Sequence, residues 1–186
     1  MKPLVFAFAL LAGSTAAANA ASWTVDPAAS RLGFAGTAAG APFEGVFGRW
    51  TAAIEFDPAN PAAGRVAVTV ETASAKTGDP QKDTALPQPD WFDAANQPQA
   101  RFEAAGFRAV GDHQYEAAGT LTLRGATQPI TLPFRFEDGG RFAGKIELDR
   151  TRFGVGQGAW ASGQFVGTAV TVSFDLKASP TTVAAP

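Results

Sequence analysis

The sequence contains no cysteine among its 186 residues. A disulfide framework, a thiolate nucleophile and a thiolate metal site are therefore excluded. It also contains a single histidine, His113, which cannot by itself build a His-rich zinc site or the facial triad of a non-haem iron site. Without thiolates or a second imidazole, ligation of haem or an iron–sulfur cluster within the chain is implausible.

Basic runs are absent as well. The chain has 15 Lys and Arg against 17 Asp and Glu, a net charge of −2, and no cluster of positive residues. This balance argues against nucleic acid as a partner. No apolar stretch is long enough to cross a bilayer. A chain without disulfides must be held together by its core, and 46% hydrophobic residues supply the material for one.

The first twenty residues have the pattern of a secretory signal peptide. Lys2 supplies a minimal positive region, residues 4–12 form a short apolar run, and Ala18 and Ala20 frame a small-x-small cleavage site. We therefore expect cleavage after Ala20 and export to the periplasm. An uncleaved anchor or a buried strand is the alternative. The rest of the chain suits one domain over residues 21–178, followed by a disordered tail at 179–186.

Strict alternation between residues 119 and 136 predicts an antiparallel hairpin. Leu121 before a Gly-containing connection, and Ile130 and Phe134 after it, belong to one buried face, while the residues between them are polar or proline. Pro129 and Pro133 cannot donate to a ladder. We therefore expect each proline at a strand start, a bulge or a sheet edge.

Similar alternation recurs along the chain in about eight short segments joined by Gly, Pro, Asn and Asp. This pattern predicts an all-β barrel or sandwich, whose first strand is expected to end at Pro27. Two long stretches interrupt it: residues 77–99, with one helical turn near 83–86, and the Gly-rich residues 151–167. Loops of this length inside a compact domain are often lids or binding loops.

Small residues on the inward faces bear on whether the barrel is filled. Ala117, Gly119 and Gly144 share the inward register of larger apolar residues, and small side chains there favour a ligand cavity. The same glycines also fit bends or bulges whose space is filled by neighbouring Phe side chains. Both interpretations remain open at this point.

Enzyme motifs are mostly missing. Residues 154–158 lack the spacing of a dinucleotide loop, and no GxSxG elbow is present. His113 is interpreted as an exposed turn residue, and loop acids such as Asp83 and Asp90 as local turn formers rather than calcium ligands. We expect no catalytic residue and no metal. A hydrolase or isomerase would need a perturbed acid in a cleft, such as Asp83 or Glu103.

Several stretches follow one another in an order that is specific as a set. They are residues 23–26 with Ser30, 43–50, 54–58, 74–78 with Asp83 and Leu86, 90–93, 98–102 and 149–156. Together they resemble the YceI-like family of exported lipid-binding proteins. The resemblance implies an all-β fold: an eight-stranded antiparallel lipocalin-like β-barrel with one short helical segment in a long loop. It also implies a long apolar interior that holds polyisoprenoid or other long-chain amphiphiles, and it assigns no catalytic residue.

A carrier of this kind needs an apolar cavity with a few polar groups at its mouth. Arg152, beside the Gly-rich loop, is expected there, because a guanidinium suits a phosphate or carbonyl head group. A structural bridge to Asp83 or Asp90 is the alternative. The Ser74 and Thr77 hydroxyls are expected to contact the head group too. The remaining predicted site residues are Phe34, Phe43, Phe47, Trp50, Val68, Trp91, Phe92, Phe102, Leu121, Phe134, Ile146, Phe153 and Trp160.

Together these patterns and the resemblance predict a periplasmic carrier without a covalently bound cofactor. Its expected ligand is a polyprenyl lipid or an isoprenoid quinone. The alternative is an accessory protein that presents quinone to an inner-membrane b-type cytochrome in redox or stress defence, because some relatives are encoded with, or fused to, such cytochromes. A homodimer is a further expectation.

Overall fold

The computed structural model describes residues 20–181. The predicted signal peptide, apart from Ala20, and residues 182–186 of the predicted tail lie outside the described residues. The helix α1 (Pro80–Ala85) is short, and no helix within the described range is long and apolar enough to span a membrane. The strands are β1 (Ser22–Ala38), β2 (Ala41–Phe47), β3 (Trp50–Glu55), β4 (Arg65–Glu71), β5 (Ala75–Lys76), β6 (Gln99–Gly111), β7 (Gln114–Leu123), β8 (Ala126–Glu137), β9 (Arg141–Asp149) and β10 (Ala169–Pro180).

Eight of these strands close into an antiparallel barrel. Their order is β1, β3, β4, β6, β7, β8, β9 and β10, and β10 pairs back to β1. The predicted fold class is confirmed. The two other strands extend the sheet at one place, because β2 pairs with the second half of β1 and β5 pairs with β2. Closure removes most of the exposed edge that an open sheet would present.

The β7–β8 hairpin follows the predicted alternation. Tyr115 pairs with Phe134 and Gly119 with Ile130, and the inward positions of both strands are buried or half-buried. Arg124 and Gly125 form the two-residue turn with φ of 50° and 75°. Two successive residues at positive φ give the turn geometry that matches the twist of the flanking strands.

The first strand is longer than expected. Pro27 does not end it: β1 spans 17 residues, with a register shift against β10 between Asp26 and Arg31. The Asp26 carboxylate accepts hydrogen bonds from the backbone N–H groups of Ala28 and Ala29, at 3.0 and 3.4 Å. The proline is therefore accommodated in a local bulge, after which pairing resumes.

The last strand also exceeds its predicted boundary at residue 178. Ser179 pairs with Thr24 and Pro180 with Trp23, so these two residues belong to the barrel and not to a tail. Pairing with β1 orders these two residues, and their small, Pro-containing sequence gives no sign of that pairing.

The inward glycines serve close backbone packing. A Cβ atom on Gly119 would overlap the carbonyl oxygen of Glu103, and one on Gly144 would overlap that of Pro133. Gly119 also lies opposite a register shift in β6. Neighbouring atoms therefore fill the space beside both glycines, with the Phe174 ring beside Gly144, whereas the small residue Ala117 lines the cavity described below.

One end of the barrel is closed by a cluster of aromatic rings, named here the aromatic plug. Phe56 is fully buried at its centre, 4.9 Å from the Tyr115 ring and 5.1 Å from the Phe136 ring. Trp23 donates its indole N–H to the Phe56 carbonyl at 2.9 Å. Edge-to-face contacts of this kind make a rigid, dry end. The aromatic plug consists of Trp23, Phe56, Phe107, Tyr115, Phe136 and Phe142.

Two seams interrupt the ladder within residues 20–181. β1 and β3 pair only through Ser22–Glu55 and Trp23–Ile54, and β8 and β9 pair only between residues 134–137 and 141–144. Both short ladders lie at the aromatic plug. Towards the other end the facing edges of β8 and β9 are unpaired, whereas the β1 edge lacks a partner only between Trp23 and Gly33, from which it pairs with β2. Pro129 and Pro133 lie in the part of β8 without a β9 partner, an edge position as expected from their missing N–H.

Candidate functional site

The barrel encloses a cavity of about 240 Å³. Inward positions of successive strands line it, such as Val66, Val68 and Val70 on β4, and Val170 and Val172 on β10. Apart from Thr72, Arg101 and Arg150, all the lining residues are apolar. An interior of this kind favours a hydrocarbon chain and disfavours any unpaired polar group.

Protein partners satisfy two of these polar residues. The Thr72 hydroxyl lies 3.0 Å from the Gln97 carbonyl oxygen and 3.1 Å from that of Pro98. Arg101 is exposed and donates to the Gln99 side-chain oxygen at 3.0 Å. Neither group is left as a free polar contact in the middle of the cavity.

Two long loops cover the end of the cavity opposite the aromatic plug. The first lid loop comprises residues 77–98, and the second lid loop comprises residues 150–168. Leu86, Trp91 and Phe92 from the first loop, and Phe153 and Val155 from the second, line the cavity. The two stretches predicted to be lids or binding loops thus occupy the position of lids.

The two lid loops are joined to each other. The Asp90 carbonyl of the first loop accepts hydrogen bonds from the N–H groups of Gly156 and Gln157 of the second, both at 2.8 Å. The rings of Trp91 and Trp160 lie 5.8 Å apart across the same junction. The loops therefore form one cover rather than two independent flaps.

Arg150 holds this cover in place from inside. Only 4% of the residue is exposed, and its guanidinium lies 5.5 Å from the centre of the Trp91 ring. Burial lowers the pKa of Arg150, although an arginine remains charged at neutral pH. All its N–H groups are used by backbone carbonyls of the second lid loop. They donate to Gly167 at 2.9 Å, Val155 at 2.7 Å, Gly156 at 3.1 Å, Trp160 at 2.6 Å and Val166 at 2.7 Å.

A family model for the YceI-like domain matches residues 23–178. The chain belongs to the YceI-like family. A UPF0312 protein of Vibrio cholerae is 31% identical over 151 residues, covering 75% of this chain and 80% of the relative. A UPF0312 protein of Pseudomonas savastanoi is 30% identical over 120 residues, covering 60% of this chain. The match spans 62% of the length of that Pseudomonas relative.

Solved structures agree with this family membership. The crystal structure of BcnA from Burkholderia cenocepacia is 32% identical, with a TM-score of 0.80, covering 82% of this chain and 98% of that one. A polyisoprenoid-binding domain from Saccharophagus degradans is 17% identical, with a TM-score of 0.66, covering 87% of this chain and 99% of that one. At this low identity the second match supports the fold alone.

Most of the predicted site residues of this YceI-like protein converge on the cavity. The exceptions are Ser74, Thr77, Arg152 and Trp160. Trp160 packs on Trp91 and lies behind the lining. The role of the converging residues in binding stays a prediction. They are Phe34, Phe43, Phe47, Trp50, Val68, Trp91, Phe92, Phe102, Leu121, Phe134, Ile146 and Phe153.

The two hydroxyls predicted to contact a head group are engaged elsewhere. The buried Ser74 hydroxyl donates to the Glu71 carbonyl at 2.7 Å and accepts from the Arg49 N–H at 3.0 Å. The Thr77 hydroxyl donates to the Asp83 carboxylate at 2.9 Å. Both hydroxyls therefore fix turns through local backbone and carboxylate partners and do not line the cavity.

Arg152 is also away from the cavity. It is exposed, and its guanidinium donates to the Gln128 side-chain oxygen at 3.0 Å. Arg152 therefore does not line the cavity, and its contact with a head group stays a prediction. A bridge to Asp83 or Asp90 is not formed. Arg150, two residues earlier in the same turn, is the buried arginine instead. No feature of the sequence indicated which of the two would be buried.

The loop acid Asp83 is held as a carboxylate. The Thr77 backbone N–H, at 2.6 Å, is the main reason that the pKa of Asp83 lies below its ordinary value. A general acid would need the opposite shift. The Asp93 carboxylate accepts from the Asn96 amide at 2.9 Å, as expected of a local turn. Within residues 20–181 no three acidic or histidine side chains converge on a common metal position.

Proposed function

We propose that this protein binds an isoprenoid-type amphiphile, with the hydrocarbon tail in the barrel cavity, and carries it through the periplasm. The single observation that carries the proposal is the apolar cavity, closed by the aromatic plug and covered by two joined lid loops. Family membership and the shared fold of the polyisoprenoid-binding domain add support. We infer export from the pattern of the first twenty residues.

The energetics suit a carrier that exchanges with membranes. Burying a hydrocarbon tail stabilises the complex by about 25 cal/mol per Å² removed from water, less the costs of association. An isoprene unit of five carbons thus contributes up to roughly 4 kcal/mol, at about 0.8 kcal/mol per carbon. Release into water is therefore slow, whereas transfer to a bilayer moves the tail between two apolar surroundings. We therefore expect the protein to take up and release its amphiphile at membranes.

A polyprenyl lipid and an isoprenoid quinone are the two cargo classes that we propose. They share the tail that the cavity would bind and differ in the head group. A quinone cargo would extend the proposal to presenting quinone to an inner-membrane b-type cytochrome. Electron transfer would then belong to the quinone and the partner, because the chain has no thiolate and one histidine.

Native mass spectrometry of the purified protein, followed by identification of the lipid released on denaturation, tests this function. We expect an isoprenoid in the released fraction, and the same spectrum tests the expectation of a homodimer. A quinone would favour the cytochrome link. A protein that carries no amphiphile and rejects added ones would contradict the proposal.

Two neighbouring alanines on β3 provide a matched pair of variants. Ala52 lines the cavity, whereas Ala53 is exposed on the outer face of the same strand. We expect A52F to fill part of the cavity and lower lipid occupancy several-fold, with a loss of stability of about 1–3 kcal/mol from overpacking. A53F should retain its lipid. Equal occupancy in the two variants would argue against binding in the cavity.

A further inference from the structure

The wall of the barrel contains a lateral groove along the seam between β1 and β3. Beyond the pair Trp23–Ile54 these strands share no ladder within the described residues. The groove lies where β1 bulges after Asp26 and where β2 bends into β3. Leu32, Phe47 and Trp50 line both this groove and the interior cavity. These three side chains therefore form the partition between the outside of the barrel and its apolar interior.

The rest of the groove is mostly polar, and its unpaired charge is positive. Its acidic residue, Glu71, is paired with Arg49, and the Gln99 side-chain oxygen accepts from Arg101. Arg31 has no acidic partner among residues 20–181 and is exposed. The groove also carries three hydroxyls, of which that of Ser30 is bonded to the Lys177 backbone. Its lining beyond the shared residues is Pro27, Ser30, Arg31, Val46, Gly48, Arg49, Thr51, Thr69, Glu71 and Gln99.

We propose that this groove is the entrance to the cavity and binds the oxygen-rich head group of the amphiphile. The proposal rests on the carrier function proposed above. Arg31 and the hydroxyls of Thr51 and Thr69 would donate to phosphate or carbonyl oxygens, since a guanidinium fork suits such acceptors. The tail would pass inward between Leu32 and Trp50. An amphiphile site requires this junction of free donors with an apolar interior.

The alternative route through the lid end is less suited to exchange. Parting the two lid loops would break the two hydrogen bonds to Asp90. Lifting the second lid loop would also break its hydrogen bonds to β1 and the turn after it, from the Ala39 N–H to the Phe165 carbonyl at 2.7 Å and from the Gly167 N–H to the Thr37 carbonyl at 2.9 Å. Each broken bond to a buried partner costs free energy. On the side of the groove β1 has no ladder partner, so the groove can widen locally between the Trp23–Ile54 pair at one end and the Gly33–Val46 pair at the other without breaking ladder hydrogen bonds. Moreover, all N–H groups of Arg150 are committed, so the lid end offers no free guanidinium to a head group.

Charge reversal at Arg31 tests the head-group contact. We would compare R31E with R65E, a matched reversal at an exposed arginine of β4 that is not part of the groove. The probes are a polyprenyl phosphate, a quinone and a polyprenol of equal tail length. We expect R31E to weaken phosphate binding about tenfold or more, roughly the loss of one charge-assisted contact. The loss should be smaller for the quinone and smallest for the polyprenol, with R65E unchanged throughout.

Blocking the groove tests the entrance itself. Because the chain has no cysteine, T51C labelled with a bulky maleimide carries the label at one position only. The control is labelled T120C, on the exposed face of β7 away from the groove. We expect the T51C label to slow uptake of polyprenyl phosphate from vesicles at least about fivefold, since it would narrow a route that leaves the lid bonds intact.

The outcomes separate this inference from the function on which it rests. If the wild-type protein takes up isoprenoids but both pairs of variants behave alike, the carrier function stands and the lateral entrance is wrong. If phosphate binding alone depends on Arg31, the groove is a phosphate site, and if the quinone depends on it equally, carbonyl oxygens are sufficient. A wild-type protein that binds none of the three probes would overturn the function and the entrance together.

Discussion

Arg150 and Arg152 lie two residues apart in one 3-10 turn, yet their surroundings are opposite. Arg150 is buried and donates to five carbonyls of the second lid loop, whereas Arg152 is exposed and bonds to Gln128. Without the Arg150 side chain, these carbonyl groups in a buried site would lose several hydrogen bonds at once. Both residues are arginines, so it is the position in the turn, and not the residue type, that decides how much each contributes to stability.

Replacing each arginine by methionine measures this difference. We expect R150M to lower the stability of the second lid loop by about 3 kcal/mol, because several buried hydrogen bonds to a charged group are lost. R152M should change stability by no more than about 0.5 kcal/mol, as is usual for an exposed side chain. Hydrogen exchange at the amides of residues 154–168 is the measurement. Equal exchange in the two variants would show that Arg150 does not hold the cover.

Gly119 offers a second test at the scale of one atom. Its missing Cβ leaves room for the Glu103 carbonyl of β6, so G119A should force the two strands apart and destabilise the protein by about 1–3 kcal/mol. G111A is the control, because the nearest atom to a Cβ there, in Gln114, lies at 3.7 Å, an ordinary contact. Urea denaturation of both variants compares them. A neutral G119A would mean that the bulge in β6 relaxes freely.

At the scale of elements, alternation predicted the strands better than single residues predicted the site. The inward faces of β7 and β8 could be predicted from the sequence, because a period-two pattern does not depend on which strand lies beside it. The continuation of β1 past Pro27 was not, since a bulge stabilised by the Asp26 carboxylate depends on β10. Likewise the lid loops were visible as interruptions of the pattern, but the bonds between them join residues about 66 positions apart. Long-range contacts of that kind leave no trace in local sequence.

The start of the first lid loop should make stability depend on acid pH. Hydrogen bonds from Thr77 lower the pKa of Asp83 in the folded protein, whereas the unfolded chain keeps a value of about 3.9. The unfolded state therefore takes up a proton first as pH falls. The stabilising contribution of Asp83 is present above about pH 4 and is lost as the pH falls through the folded pKa.

The variant D83N isolates this contribution. We expect it to be less stable than the wild-type protein at pH 7, and the difference between them to shrink steadily below about pH 4. D138N, at an exposed hairpin turn, is the control and should follow the wild-type curve. Urea denaturation at several pH values gives both comparisons. A difference that stays constant from pH 7 down to pH 2 would contradict a role for the Asp83 charge.

At the scale of the whole molecule, the two seams divide the barrel into unequal parts. β9, β10 and β1 are laddered to one another, and so are β3, β4, β6, β7 and β8. The parts join through short ladders at the aromatic plug and, on the β1 side, also through β2, which pairs with β1 and continues into β3. A barrel without seams could widen only by breaking hydrogen bonds. This one can part along the seam between β8 and β9, and open locally between β1 and β3, while the plug stays intact.

Pairs of spin labels can detect such widening. The pair Thr131 and Ser173 spans the seam from β8 to β10 across β9. Glu103 and Thr131 span the same number of strands, from β6 to β8 across β7, but both residues are paired with β7. All three positions are exposed or half-exposed on the outer face, and the absence of cysteine makes labelling specific.

Loading with an isoprenoid should act differently on the two pairs. We expect the distance between labels at Thr131 and Ser173 to increase and its distribution to shift, because the seam contains no ladder bonds to resist a bulky tail. The distance between labels at Glu103 and Thr131 should stay fixed, since separating β6, β7 and β8 would break backbone hydrogen bonds. Equal, unchanged distributions for both pairs in a demonstrably loaded protein would mean that the tail fits the cavity without movement. The capacity of the barrel would then be limited by its resting volume rather than by its seams.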